Sequence, residues 1–96
     1  MENWFYVYIL ASDYNGTLYI GHTDNLEQRY KTHRSKNLAN SFTAKYNVTQ
    51  LVYFEKVTTR AEAQIREKQL KKLSRTAKIK LIESHNPHWL NLGASW

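Results

Sequence analysis

Residues 13–16 read Asp-Tyr-Asn-Gly and separate two runs rich in β-branched and aromatic side chains, Phe-Tyr-Val-Tyr-Ile-Leu at 5–10 and Thr-Leu-Tyr-Ile-Gly at 17–21. Asn-Gly between such runs is the strongest short-range signal for a β-hairpin. The pairing constrains more than the turn. With a loop of two or four residues, even positions before the turn pair with odd positions after it. Tyr6, Tyr8 and Leu10 then share a face with Thr17, Tyr19 and Gly21. The opposite face carries Phe5, Val7, Ile9, Leu18 and Ile20 and reads as the core side. The less apolar face sets two tyrosines beside a glycine.

The remaining elements follow from caps and periodicity. Asp24 or Asn25 caps a helix running to about residue 36, with Leu26, Tyr30 and His33 on one stripe. Residues 35–48 are polar and read as a long loop, and residues 51–57 as a third strand. Thr59-Arg60-Ala61-Glu62 is a capping box that opens a helix through about residue 73. Ser74 or Thr76 begins a last helix, which ends at Asn86 because Pro87 cannot continue it. The aromatic tail over 89–96 is expected to lie over the core. No internal repeat or linker interrupts this order. The expected fold is α+β, ββαβαα in order, with a small three-stranded antiparallel sheet flanked by helices, as one domain over residues 1–96.

Composition narrows the function classes. Hydrophobic residues at 42% and charged residues at 23% exclude disordered and low-complexity chains. Without cysteine there is no disulfide, thiol nucleophile or Cys-based zinc site. The apolar run over residues 4–10 is far shorter than the ~20 residues of a membrane span. It also lacks the basic start and small-residue cleavage site of a signal peptide, so the expected compartment is the cytoplasm. The net charge is +6, and its excess is uneven. Residues 1–55 balance Arg29, Lys31, Arg34, Lys36 and Lys45 against Glu2, Asp13, Asp24, Glu27 and Glu55. Residues 56–80 hold nine basic residues against Glu62 and Glu67. Such a concentrated field suits a polyanion such as DNA or RNA; the alternative is a solvated basic helix.

Glu67 stands out on the second helix, because Ala63, Glu67, Leu70 and Ser74 fall on one stripe with Leu73 at its edge. A carboxylate on an apolar stripe needs a partner. Either it pairs with Arg60 or Lys71, or it ligates a metal that faces a phosphate. Arg29, near the sheet-facing edge of its helix, is either a surface arginine or a bidentate clamp on a phosphate oxygen. His22 and His33 taken singly read as structural or solvent-facing. No HxH, HExxH, P-loop, GxGxxG or Gly-x-Ser-x-Gly pattern occurs, which leaves zinc-hydrolase, NTPase, dehydrogenase and serine-hydrolase readings without support.

Tyr6-Val7-Tyr8, followed after a short turn by Tyr19-Ile20-Gly21, resembles the paired signature of the GIY-YIG endonuclease family. The run from Tyr19 through Asn25-Leu26 to Arg29 resembles the family's spacing from the second triplet to its helix arginine. Residues 62–72 resemble the helix that carries its metal-binding glutamate, and Asn86-Pro87-His88-Trp89 the closing motif of its small stand-alone bacterial members. The resemblance implies that Tyr8, Tyr19, Arg29 and Glu67 are catalytic, with Gly21 as the motif glycine. Tyr6 stands where the first triplet has glycine, and His22 where the excinuclease repair subunit has lysine. That subunit's further asparagine has only Asn86 and Asn91 as candidates here.

The implied chemistry is hydrolysis of DNA phosphodiesters. One Mg²⁺ or Mn²⁺ would sit on Glu67, Arg29 would hold the scissile phosphate, and Tyr8 or Tyr19 would orient or deprotonate the attacking water. His22 is a supporting candidate, and Lys68, Lys71, Lys72 and Arg75 are expected to face the nucleic-acid backbone. The rival readings are a non-catalytic nucleic-acid-binding module of the same fold and an interaction domain whose Trp4, Trp89 and Trp96 form a partner surface.

Overall fold

The structure is a computed structural model and describes residues 4–35 and 47–96. Its elements are β1 (Phe5–Ala11), β2 (Leu18–Thr23), α1 (Leu26–Ser35), β3 (Gln50–Val57), α2 (Arg60–Lys72) and α3 (Arg75–His85). The strands form one antiparallel sheet in the order β2-β1-β3. This is the expected ββαβαα, α+β arrangement. The side chain of His33 and residues 36–46 of the expected long loop lie outside the described residues. Among the described residues no helix is long and apolar enough to cross a membrane.

The hairpin register follows parity. Tyr6 pairs with Thr23, Tyr8 with Gly21, and Leu10 with Tyr19. The connection holds four residues, closed by Ser12 N–H to the Thr17 carbonyl at 3.0 Å and Gly16 N–H to the Asp13 carbonyl at 2.9 Å. Asn15 takes the left-handed conformation, at φ 55°. Gly16 is needed for close approach instead: a Cβ there would meet the Ser12 hydroxyl at 2.3 Å.

The sheet buries both faces, which corrects the assignment of a single core side. Val7, Ile9, Ala11 and Ile20 pack against Ala63 and Leu70 of α2 and Ile82 of α3. Tyr8, Leu10 and Leu51 pack against Leu26 and Tyr30 of α1. The tyrosine face is therefore apolar where α1 covers it, and polar chemistry is available only near the sheet's edge.

Caps start the helices where the sequence places them. Asn25 Oδ1 accepts from Gln28 N–H at 3.1 Å. The Thr59 and Ser74 side chains accept from Glu62 and Ala77 N–H, and Asn86 closes α3. An ion pair then sets the roll of α2. Arg66 holds Glu55 of β3 with two N–H groups, at 2.8 and 2.9 Å, so the next residue, Glu67, turns toward β2.

The C-terminal tail closes the α1 side. Leu92 N–H reaches the Leu51 carbonyl at 2.7 Å, and Trp96 packs edge-on against Tyr30. Trp89 is only 4% exposed, while Trp4 lies under the Lys56 ammonium. The tryptophans are thus distributed over separate packing contacts, and the reading of a shared tryptophan partner surface loses its basis.

Asn86 and Asn91 are stitches of the fold. A register shift at the Ile9/Leu10 step leaves Val52 as an extra residue of β3, and its carbonyl accepts from Asn86 Nδ2 at 3.0 Å. The same amide donates to the Leu90 carbonyl at 2.8 Å and accepts from Leu90 N–H at 2.9 Å. Asn91 bonds Leu51 N–H, Gly93 N–H and the Tyr30 hydroxyl. Asn86→Ala would strand these buried backbone groups and is expected to cost about 3 kcal/mol, read by urea denaturation. A loss below about 1 kcal/mol would show that the bulge does not depend on this amide.

Candidate active site

Tyr8 and Gly21 are cross-strand neighbours, and the glycine exists for the tyrosine. A Cβ at residue 21 would lie 2.6 Å from the Tyr8 hydroxyl, 2.8 Å from Cζ and 3.2 Å from the Tyr19 ring. The phenol thus crosses β2 where a side chain would otherwise stand. Tyr19 lies beside it, with ring centroids 6.3 Å apart. Arg29, on the exposed side of α1, lies near enough for its charge to act on the Tyr8 phenol.

Burial pushes the Tyr8 phenol up from the ordinary tyrosine value of 10.0. Tyr19 and the negative charge of Glu67 add to the rise, and Arg29 opposes it by charge. The phenol therefore stays a proton donor to higher pH than a free tyrosine would.

Glu67 approaches from the other face. Hairpin parity puts His22 opposite Val7, on the side that α2 covers, and His22 Nδ1 meets Glu67 Oε1 at 2.7 Å. Lys71, one turn along α2, reaches Oε2 at 2.7 Å. The pairing with Lys71 matches one of the two bases the sequence offered. The other, Arg60, instead bonds Asp24 at 3.3 Å and lies over the Phe5 ring. The Glu67 side chain is 18% exposed. Burial alone would raise its pKa, but hydrogen bonds and charge from Lys71 and His22 outweigh that and hold it below the usual carboxylate value.

The two groups meet around β2, which is an edge strand. Tyr19 and Lys71 line one cleft, and the Glu67 charge reaches Tyr8. Of the other expected cations, Lys68 and Lys72 are exposed on α2. Arg75 is engaged elsewhere, donating to the Asn15 and Gly16 carbonyls at 2.6 and 2.7 Å. The described residues contain no group of three or more His, Asp or Glu side chains placed to share a metal. Glu67 offers one ionised, hard oxygen donor, which fits a divalent cation that keeps most of its waters.

Two features lay beyond the sequence reading. The His22–Glu67 contact was foreshadowed by parity, since His22 shares the α2 side with Ile20, but its partner on α2 required the roll set by Arg66. Lys78 joins Tyr19 and Lys71 in the cleft, which no pattern within α3 reveals.

Residues 4–80 match the GIY-YIG catalytic domain, from the first tyrosine strand to the middle of α3. The chain belongs to the GIY-YIG family. This is a family of nucleases that act on DNA. A UPF0213 protein of Clostridium perfringens is 43% identical over 79 residues, covering 82% of this chain and 83% of the relative. One from Staphylococcus haemolyticus is 40% identical over 78 residues, covering 81% and 93%. The solution NMR structure of a UPF0213 protein from Bacillus halodurans aligns over 92% of both chains, with a TM-score of 0.56 and 31% identity. The family's motif positions Tyr8, Tyr19, Gly21, Arg29 and Glu67 all fall inside the matched residues.

Gly21→Ala is expected to cost about 1–3 kcal/mol through the forced shift of the Tyr8 phenol. In a Tyr8→Phe background, which removes the nearest atom, the cost should shrink by at least about 0.5 kcal/mol in a denaturation cycle. Additive losses would mean the two residues do not touch. The Glu67 contacts carry a pH signature. Its folded pKa lies below the unfolded one, so its stabilisation is present above the unfolded value, about 4.3, and fades as pH falls through the folded value. Urea midpoints of the wild type should therefore drop more steeply below that pH than those of Glu67→Gln. Parallel curves would show that Glu67 is unpaired in solution.

Proposed function

We propose that this chain is a metal-dependent endonuclease that hydrolyses phosphodiester bonds in DNA. The observation that carries the reading is the meeting of Tyr8, Tyr19 and Arg29 from one face of the sheet with Glu67 from the other, around the edge strand.

Each residue has a task that its surroundings favour. Glu67 would hold Mg²⁺ or Mn²⁺, an ion that supplies charge relief for a phosphoryl oxygen and for the leaving oxygen. His22 fixes one Glu67 oxygen, while Lys71, half-exposed at the end of a flexible stem, can yield the other. Arg29, exposed on α1 beside the Tyr8 phenol, would present its N–H groups to the scissile phosphate. Tyr8, whose burial disfavours the phenolate, would donate to a phosphoryl oxygen or to the water. The task of orienting the attacking water and accepting its proton then falls to Tyr19. Hydrolysis forms the new P–O bond to that water's oxygen and breaks the bond from phosphorus to the sugar oxygen, which takes its proton from solvent while the attacking water's proton passes by way of Tyr19 to solvent.

Glu67→Gln tests this directly. With labelled single-stranded, duplex and branched DNA in Mg²⁺ or Mn²⁺, cleavage should fall at least about 100-fold, roughly 3 kcal/mol of transition-state stabilisation. EDTA should abolish cleavage by the wild type. Affinity for DNA should hold or rise, because a negative charge beside the phosphates is gone. Folding should survive with a loss under about 1 kcal/mol, since the Lys71 side chain is 54% exposed and its ammonium stays hydrated. Wild-type protein that binds every DNA and cuts none would favour the non-catalytic binding module.

A further inference from the structure

A cleft of about 300 Å³ runs beside β2, lined by Leu18, Tyr19 and Ile20 of that strand, Lys71 of α2 and Lys78 of α3. Tyr19 and Lys71 belong to the candidate active site, so the cleft continues from it. The lining combines an apolar and aromatic wall with two ammonium groups, of which Lys71 is paired with Glu67 at 2.7 Å and Lys78 is in none of the ion pairs found among the described residues. Another groove, beside Tyr6 and Phe54, is lined by Asp24 and Glu27 against a single cation, Lys56, and suits a phosphate less well.

Lys78 is also well placed mechanically. It is half-buried near the start of α3. Arg75, in the same first turn, is fastened to the hairpin by bonds of 2.6 Å to the Asn15 carbonyl and 2.7 Å to the Gly16 carbonyl. That tether holds α3 against the hairpin and fixes Lys78 relative to Leu18 and Tyr19 without a ligand. A preformed site of this size accommodates one nucleotide unit, with its sugar or base against the apolar wall and its phosphate on the lysines.

We propose that this cleft is a nucleotide subsite for the DNA strand being cut, in which Lys78 binds a phosphate adjacent to the scissile one. The proposal rests on the nuclease reading and extends it to a residue outside the family's motif positions. Lys78 is a binding residue here: it anchors the strand beside Tyr19 and Glu67, and no proton passes through it.

The test uses the full chain and a short labelled DNA with one mapped cut. Copies of that DNA carry a neutral methylphosphonate at each position flanking the cut. Binding is measured in EDTA across a salt series, and cleavage at saturating protein in Mg²⁺. Lys78→Ala should bind about tenfold more weakly and lose about one unit of log–log salt slope, with the saturated cleavage rate within about twofold of wild type. One methylphosphonate next to the cut should weaken the wild type about tenfold and Lys78→Ala no further.

Should the alanine variant fold poorly by circular dichroism, Lys78→Gln, which keeps part of the aliphatic stem, carries the same cycle. Equal methylphosphonate losses in wild type and variant at every position, or unchanged affinity in a variant of a wild type that cuts DNA, would overturn the subsite alone. A wild type that neither binds nor cuts DNA would overturn the nuclease reading, and the subsite with it.

Discussion

The Tyr8 phenol lies where a side chain of residue 21 would stand, 2.6 Å from the position of its missing Cβ. Much of the candidate site depends on that close approach. Because residue 21 is glycine, a tyrosine rooted on the central strand can cross the edge strand. There it meets Arg29 and feels the charge of Glu67. The approach requires Tyr8 and Gly21 to be directly opposed, and so depends on hairpin register. A slip of one residue would send Tyr8 to the α2 face and leave the glycine with nothing to accommodate.

The second dependence is on the roll of α2. Arg66 and Glu67 are consecutive and point about 100° apart around the helix. Arg66 grips Glu55 on one outer strand, and Glu67 meets His22 on the other. The helix is braced across the sheet by two charged contacts of opposite sense. A carboxylate that would be costly on an apolar stripe is tolerated because it lies at the sheet's edge, with an imidazole on one oxygen and an ammonium on the other. Nearly all of the hydrophobic packing lies between the sheet and its helices, while the reactive groups collect where that packing ends. A phosphate would enter a rim with fixed donors and only modest desolvation of the protein.

Several features were legible in the chain for identifiable reasons. Period-two alternation and Asn-Gly gave the hairpin and its parity, and Thr59, Ser74 and Pro87 gave the helix limits, because these signals act over a few neighbouring residues. The apolar character of the tyrosine face was not legible. Tyr8 is as buried as Ile9, yet a phenol scores as half-polar until α1 and the tail are laid over it. Arg75 looked like one more cation of a basic helix. Its guanidinium is committed to carbonyls 59 and 60 positions away, and such pairing has no local signature. Asn86 similarly resembled a site candidate because its bulge partner, Val52, is remote in sequence.

By itself the sequence determined the element order, the parity of the hairpin, the helix caps to within a residue or two, and the identity of the motif residues. Each of these follows from sterics and hydrogen bonding among near neighbours, or from matching residues one by one to a family pattern. Tertiary structure alone decided that Glu67 pairs with His22 and Lys71 rather than Arg60. It also decided that burial and the Glu67 charge disfavour the Tyr8 phenolate, and that Lys78 joins Tyr19 in one cleft. Those outcomes depend on how elements far apart in the chain are rolled and spaced against one another, and on the burial that results. Burial and charge proximity are properties of the packed whole, so the electrostatics of the site arise only when α1, α2 and α3 close on the two faces of the sheet.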